Sequence, residues 1–139
     1  MKASVTLDRG MAFSGVSGKE FSVRMDSGPA VGGDDSGFRP MQLLLIGLGG
    51  CTGMDVLSIL RKKRQDVSSF EILLDAQQAE EHPRVFTHID IKYIIRGQGI
   101  RPAAVERAIE LSETKYCPAQ AMLVKSAVID HFYEVVEEG

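Results

Sequence analysis

Cysteine is scarce in this sequence: Cys51 and Cys117 are the two in 139 residues. There is no Cys-x-x-Cys, and His82, His88 and His131 are scattered, none with a partner three or four residues away. A bound zinc needs clustered ligands of that kind, so no metal is expected. Excess positive charge is missing too. The formal net charge is −3, which argues against nucleic acid as a partner. The one dense basic run, Arg61-Lys62-Lys63-Arg64, falls where a helix should end and complements the negative end of its dipole.

Other signatures are equally absent. No Gly-x-Ser-x-Gly elbow occurs. The stretch Gly28 to Gly37 is rich in glycine but lacks the lysine of a phosphate loop, and Asp34 and Asp35 would repel phosphate. Glu80-Glu81 and Glu137-Glu138 lie in solvated positions, whereas acid–base catalysis needs partly buried carboxylates. No apolar leader follows Met1-Lys2. The most hydrophobic stretch, Met41 to Leu48, is too short to span a bilayer, so no membrane association is expected. These readings place the chain in the cytoplasm. Structural disulfides are rare there, so two cysteines brought together would be catalytic or redox-sensing; kept apart, they would be packing.

The order of elements reads as one α+β domain over residues 1–139, long enough to bury a core. Val5 and Leu7, then Phe21, Val23 and Met25, alternate as strands, with Gly10, Gly15 and Gly18 marking turns of a hairpin or meander. Residues 27–40 read as a loop. Pro40 opens a helix running to Arg64, roughly 37 Å long at the usual rise. Met41, Leu44, Leu45, Leu48, Cys51, Thr52, Asp55 and Ile59 share its broad apolar face. That length suits a central helix covered by sheet, alone or shared with a second subunit. Gly47, Gly49, Gly50 and Gly53 interrupt it, either for close approach by a neighbouring element or to open a path to Cys51. Residues 69–97 form a hairpin turning at His82-Pro83, with Phe70, Ile72 and Leu74 opposite Ile89, Ile91, Tyr93 and Ile95. A short helix from Pro102 carries Val105, Ala108, Ile109 and Ser112 on one stripe. Another short helix runs to about Val124, and a last strand passes through Ala127, Ile129, His131, Tyr133 and Val135. His88 and His131 are expected to be exposed.

Elimination leaves the thiols. A thiolate needs a cation, hydrogen-bond donors or a helix N-terminus to be populated at neutral pH. Cys117 precedes Pro118, which places its sulfur at a helix N-cap with Lys115 nearby, so local chemistry makes it the more acidic thiol. Cys51 has apolar neighbours, and burial would raise its pKa unless the fold delivers a cation, most plausibly an arginine.

The run Arg39-Pro40-Met41-Gln42-Leu43-Leu44-Leu45 leading to Gly49-Gly50-Cys51-Thr52 resembles the first-cysteine motif of the OsmC/Ohr family of peroxide reductases. Lys115-Tyr116-Cys117-Pro118 is similar to that family's second. The resemblance covers essentially the whole chain. It implies an OsmC-like fold, antiparallel sheets around a long central cysteine-bearing helix, in an intertwined homodimer. It also implies that Cys51 attacks a hydroperoxide and becomes a sulfenic acid, that Cys117 resolves it as a disulfide, and that an external thiol or dithiol reduces the disulfide, with no cofactor. An arginine near the end of the first strand is implied as activator; Arg9 is the match, and Arg39 the fallback. In the organic-hydroperoxide branch a glutamate follows the helix-opening proline and holds that arginine. Met41 occupies the position here, so Arg39, Met41 and Gln42 are the candidate substrate-side residues, with Gln42, Asp34 or Asp35 as substitutes for the glutamate. The departure keeps open an OsmC-fold redox-sensing or small-ligand-binding protein with weak or no peroxidase activity.

Overall fold

A computed structural model describes residues 1–138. It contains six strands and three α-helices, with a short 3-10 turn at Pro29–Val31 and a π-helical turn at Ser112–Tyr116. The chain forms two compact units, residues 1–44 and residues from 45 onward, and the boundary falls inside the long helix.

In the first unit β1 (Ala3–Arg9), β2 (Ala12–Ser17) and β3 (Phe21–Met25) form an antiparallel meander. Gly10 and Gly18 turn with φ of +56° and +76°, values at which any side chain would be strained. Gly15 is different: it sits inside β2, paired with Val5 and Val23. The expectation of a turn there is corrected; the small residues of β2 lack the apolar alternation that marks a strand.

The second unit is a three-stranded sheet in the order β4 (Asp66–Gln78), β5 (Phe86–Gln98), β6 (Val128–Glu137). Ile89, Ile91, Tyr93 and Ile95 point inward from β5 and are fully buried. β4 and β5 are antiparallel, but β6 runs parallel to β5. The expectation of antiparallel sheets holds for the first sheet and is corrected for the second, which is mixed. Between β5 and β6 lie α2 (Pro102–Leu111), the π-helical turn and α3 (Pro118–Leu123), and a helical crossover of that length returns a strand parallel to its predecessor. Ala104, Val105, Ala108, Ile109 and Ser112 form the buried stripe of that crossover.

α1 spans Pro40–Lys62. Pro40 occupies its first position, the Gln42 side chain reaches back to accept the Arg39 main-chain N–H at 2.9 Å, and Arg61 and Lys62 complement the last turn. Its buried residues are Leu48, Gly49, Thr52, Gly53, Val56 and Leu60. This face is rotated from the expected one, leaving Leu44 and Ile46 each 52% exposed. Glycines explain the rotation. A Cβ on Gly49 would stand 2.7 Å from Leu74 Cδ1, and one on Gly53 2.6 Å from Ile72 Cδ1, so their lack of side chains lets β4 close on the helix. Gly47 and Gly50 face open space, with no described atom within 4 Å of an added Cβ. Close approach by a neighbouring element, one of the two expected roles, thus occurs at Gly49 and Gly53.

The apolar character does not stop at Leu48. Over an 18-residue window of α1 mean hydropathy is 1.9, enough by length and composition alone to cross a membrane, and 33% of that window is buried within the chain. The expectation of a stretch too short to span is corrected: Val56, Leu57, Ile59 and Leu60 extend it past the cysteine.

Candidate active site

Both cysteines are free thiols. Cys51 is half-buried on α1, one residue before the fully buried Thr52. Cys117 is 3% exposed and caps α3, its sulfur accepting the Gln120 main-chain N–H at 3.4 Å. The fold makes them neighbours: Cys51 lies close enough for its thiol and its charge to act against ionisation of Cys117. Sixty-five intervening residues concealed this proximity.

The cap does not acidify Cys117 as expected. Burial, with Cys51 adding to it, pushes the Cys117 thiol up to about 11 despite the hydrogen bonds from the Gln120 and Ala119 main chain. The cap exists as expected, but desolvation outweighs it. Lys115 does not assist; its ammonium lies over the Tyr116 ring, 5.2 Å from the centroid.

Around the thiols runs a buried polar network that sequence reasoning missed. Thr52, Ser112 and Gln120 are completely buried. Thr52 Oγ1 lies 2.8 Å from Tyr93 Oη and 2.8 Å from Ser112 Oγ, and it accepts the Gln120 side-chain amide at 3.1 Å. Ser112 Oγ donates to Asp55 Oδ2 at 3.0 Å. His131 Nε2 lies 2.8 Å from Gln120 Oε1, and its ring stacks on Tyr93 with centroids 6.2 Å apart. The expectation of an exposed His131 is corrected: its side chain is 11% exposed, with Nδ1 facing Glu113 at 3.7 Å. Burial lowers its pKa, against Glu113 and Asp130, which favour the charged form. Burial likewise pushes Tyr93 up to about 12. Asp55 also lines a cavity of about 320 Å³ with Ser58, Lys62, Lys63 and Tyr116.

The remaining candidates belong to the first unit. Arg9 ends β1 and is exposed, and its guanidinium has no hydrogen bond or ion pair among the described residues. Arg39 is engaged: its guanidinium donates to Asp35 and, at 3.5 Å, to the Asp26 carbonyl. Gln42 is engaged as the helix cap, and Met41 is half-buried. Asp26 organises the glycine-rich loop that supplies Asp35. Its carboxylate accepts from Ser36 Oγ at 2.6 Å and from the main chain of Ser27, Asp34 and Ser36. Those bonds, the Ser36 hydroxyl first, hold its pKa well below the usual carboxylate range, against a smaller desolvation effect.

His88, expected to be exposed, is half-buried on β5. Its Nε2 lies 2.9 Å from Asp90 and 3.0 Å from Asp130, and the three side chains could hold a metal ion. Spacing hid the group because strand pairing places Asp130 beside Asp90.

An α+β fold of two small sheets with a free thiol on its long helix and a second, buried thiol beside it defines a class of small thiol proteins. The model of the OsmC-like protein family matches residues 33–131, and the chain belongs to that family. Protein YhfA of Escherichia coli strain K12 is 42% identical over 136 residues, covering 98% of each chain. A protein from Aquifex aeolicus VF5, of known crystal structure, superposes with a TM-score of 0.88 at 32% identity, covering 99% of this chain and 97% of that one. The organic hydroperoxide resistance protein OhrB of Bacillus subtilis has a TM-score of 0.64 at 15% identity, covering 96% of this chain and 98% of that one. That last likeness is one of fold.

Proposed function

We propose that this protein is a cysteine-based thiol peroxidase that reduces organic hydroperoxides. The observation that carries the proposal is the pair of neighbouring free thiols, one half-buried on α1 and one buried at the cap of α3. The Cys51 thiolate attacks the outer peroxide oxygen; the O–O bond breaks, the alkoxide leaves as the alcohol with the proton that the Cys51 thiol had given up, and a sulfenic acid remains. Cys117 then attacks the sulfenic sulfur. The S–S bond forms, and the displaced hydroxide leaves as water with the Cys117 proton. An external thiol or dithiol restores both thiols, so no cofactor is needed. Membership of the OsmC-like family supports the reading, as does a fold shared with a protein named for organic hydroperoxide resistance.

Arg9 is assigned as the activating cation, since Arg39 is already held by Asp35. Arg39, Met41 and Gln42 are placed at the substrate side. The working form is a cytoplasmic, intertwined homodimer in which the whole chain acts as one domain. Leu44, Ile46 and Met54 leave apolar surface of α1 exposed, and contiguous apolar surface of that kind suits a partner packed there.

Treating the reduced protein with cumene hydroperoxide tests the reading. A mass loss of about 2 Da is expected on disulfide formation. Cys51→Ser should abolish turnover, and Cys117→Ser should trap a sulfenic acid on Cys51. No loss of thiol titre with any hydroperoxide would sink the enzymatic assignment. A second reading, a redox sensor or small-ligand binder, is favoured by the engagement of Arg39 and Gln42 elsewhere with Met41 at the glutamate position. Reversible oxidation or saturable binding without catalytic peroxide consumption would select it.

A further inference from the structure

Each hydroxyl carries one proton, and that fixes the direction of the buried network. Ser112 donates to Asp55, so it must accept from Thr52. Thr52 has then used its proton, and it accepts from both Tyr93 and the Gln120 side chain. The Thr52 hydroxyl is therefore saturated and turned to structure rather than to reaction, although Thr52 adjoins Cys51. Gln120 is the node. Its side-chain N–H binds α1 at Thr52, its side-chain oxygen takes the His131 N–H from β6, and its main-chain N–H donates to the Cys117 sulfur. A fully buried glutamine with every one of these groups used is costly to leave half-satisfied. The turn carrying Cys117 consequently has one preferred seat against the helix carrying Cys51.

We infer that Gln120, held in place by His131, is a positioning residue for disulfide closure: it seats Cys117 against Cys51 and so sets the effective concentration of one thiol at the other. The inference rests on the assignment of Cys117 as the resolving thiol, but it needs no peroxide. Thiol–disulfide exchange with glutathione reports it directly. Cys51 as thiolate attacks glutathione disulfide, forming a mixed disulfide and releasing one glutathione. Cys117 then attacks the Cys51 sulfur, forming the Cys51–Cys117 bond and releasing the second; the two protons from the protein end on the two glutathione thiols.

The experiment equilibrates the purified full-length chain in glutathione buffers of graded redox ratio. Intramolecular and mixed disulfides are counted by mass after acid quench, and circular dichroism confirms the fold. Wild type is expected to close the Cys51–Cys117 disulfide. Gln120→Ala should lower the closure constant at least tenfold and accumulate the Cys51–glutathione species. His131→Leu, at a less buried position, removes the donor to Gln120 and should move closure the same way. His131→Gln retains an N–H donor and should restore most of it, which a packing role alone would not do. Closure within twofold of wild type in His131→Leu overturns the inference, as does equal loss in His131→Leu and His131→Gln, or a wild type that closes no disulfide. A wild type that closes with glutathione yet ignores every hydroperoxide defeats the peroxidase assignment and leaves the seating role of Gln120 standing.

Discussion

Cys117 accepts a hydrogen bond from the Gln120 main chain at 3.4 Å, yet its thiol is pushed up to about 11 by burial. At pH 8 about one such thiol in a thousand is ionised. Alkylation of the reduced protein at pH 8 should therefore label Cys51 first, with Cys117 reacting slowly until the pH approaches 11. Peptide mapping after timed iodoacetamide treatment checks this. The same shift bears on stability. In the unfolded chain Cys117 loses its proton near the ordinary thiol value of 9.0, so between about 9 and 11 the unfolded state binds fewer protons and stability falls as pH rises. The contribution is fully present below about 9. Urea midpoints measured across that window should fall more steeply for wild type than for Cys117→Ser.

Arg9 is exposed with no partner among the described residues, whereas Arg39 is tied to Asp35. If Arg9 stabilises the Cys51 thiolate and the peroxide oxygen, Arg9→Ala should slow sulfenic acid formation by on the order of a hundredfold or more. Arg39→Ala should slow it less than tenfold. Single-turnover peroxide consumption by both variants, under identical pH and salt, makes the comparison. A larger loss in Arg39→Ala would reassign the activating cation.

Asp26 holds the loop between β3 and α1 through four hydrogen bonds to its carboxylate. Its pKa is depressed in the folded chain, so the stability it confers is present above the unfolded value near 4 and is lost as the pH falls below it. Asp26→Asn should weaken the protein at pH 7 and flatten the acid limb of its stability profile below about pH 4. Thermal melts at a series of pH values would show a parallel, unflattened acid limb if the loop did not depend on this charge.

Much of the architecture was legible in the sequence because it rests on periodicity. Ile89, Ile91, Tyr93 and Ile95 alternate inward, and Pro40, Pro102 and Pro118 each open a helix. What was hidden depends on tertiary closure. The direction of β6 follows from the crossover rather than from its own residues. The face that α1 buries is set by Gly49 and Gly53, residues with no hydrophobic signal. Cys117 shows the same limit at the site: its cap can be read from Pro118, but desolvation cannot be read from neighbours in sequence. His131 and Gln120 looked like an exposed strand residue and an unremarked helix residue, and only packing joined them to Thr52.

The glycines of α1 separate fold from assembly. Gly53 meets Ile72 of the same chain, so Gly53→Val would force that side chain aside and should destabilise the folded subunit by about 1 to 3 kcal/mol. Gly47 meets no described atom. In a lone subunit Gly47→Ala would stabilise the helix by up to about 1 kcal/mol, because alanine is the better helix former. Gly47→Leu would also be tolerated there, since open space surrounds it. If a partner helix packs on this flank in the proposed homodimer, the leucine side chain must instead collide with it. Sedimentation equilibrium should then show Gly47→Leu raising the dimer dissociation constant at least tenfold while far-UV circular dichroism stays unchanged. Unaltered dimerisation in Gly47→Leu would place the interface elsewhere on the chain.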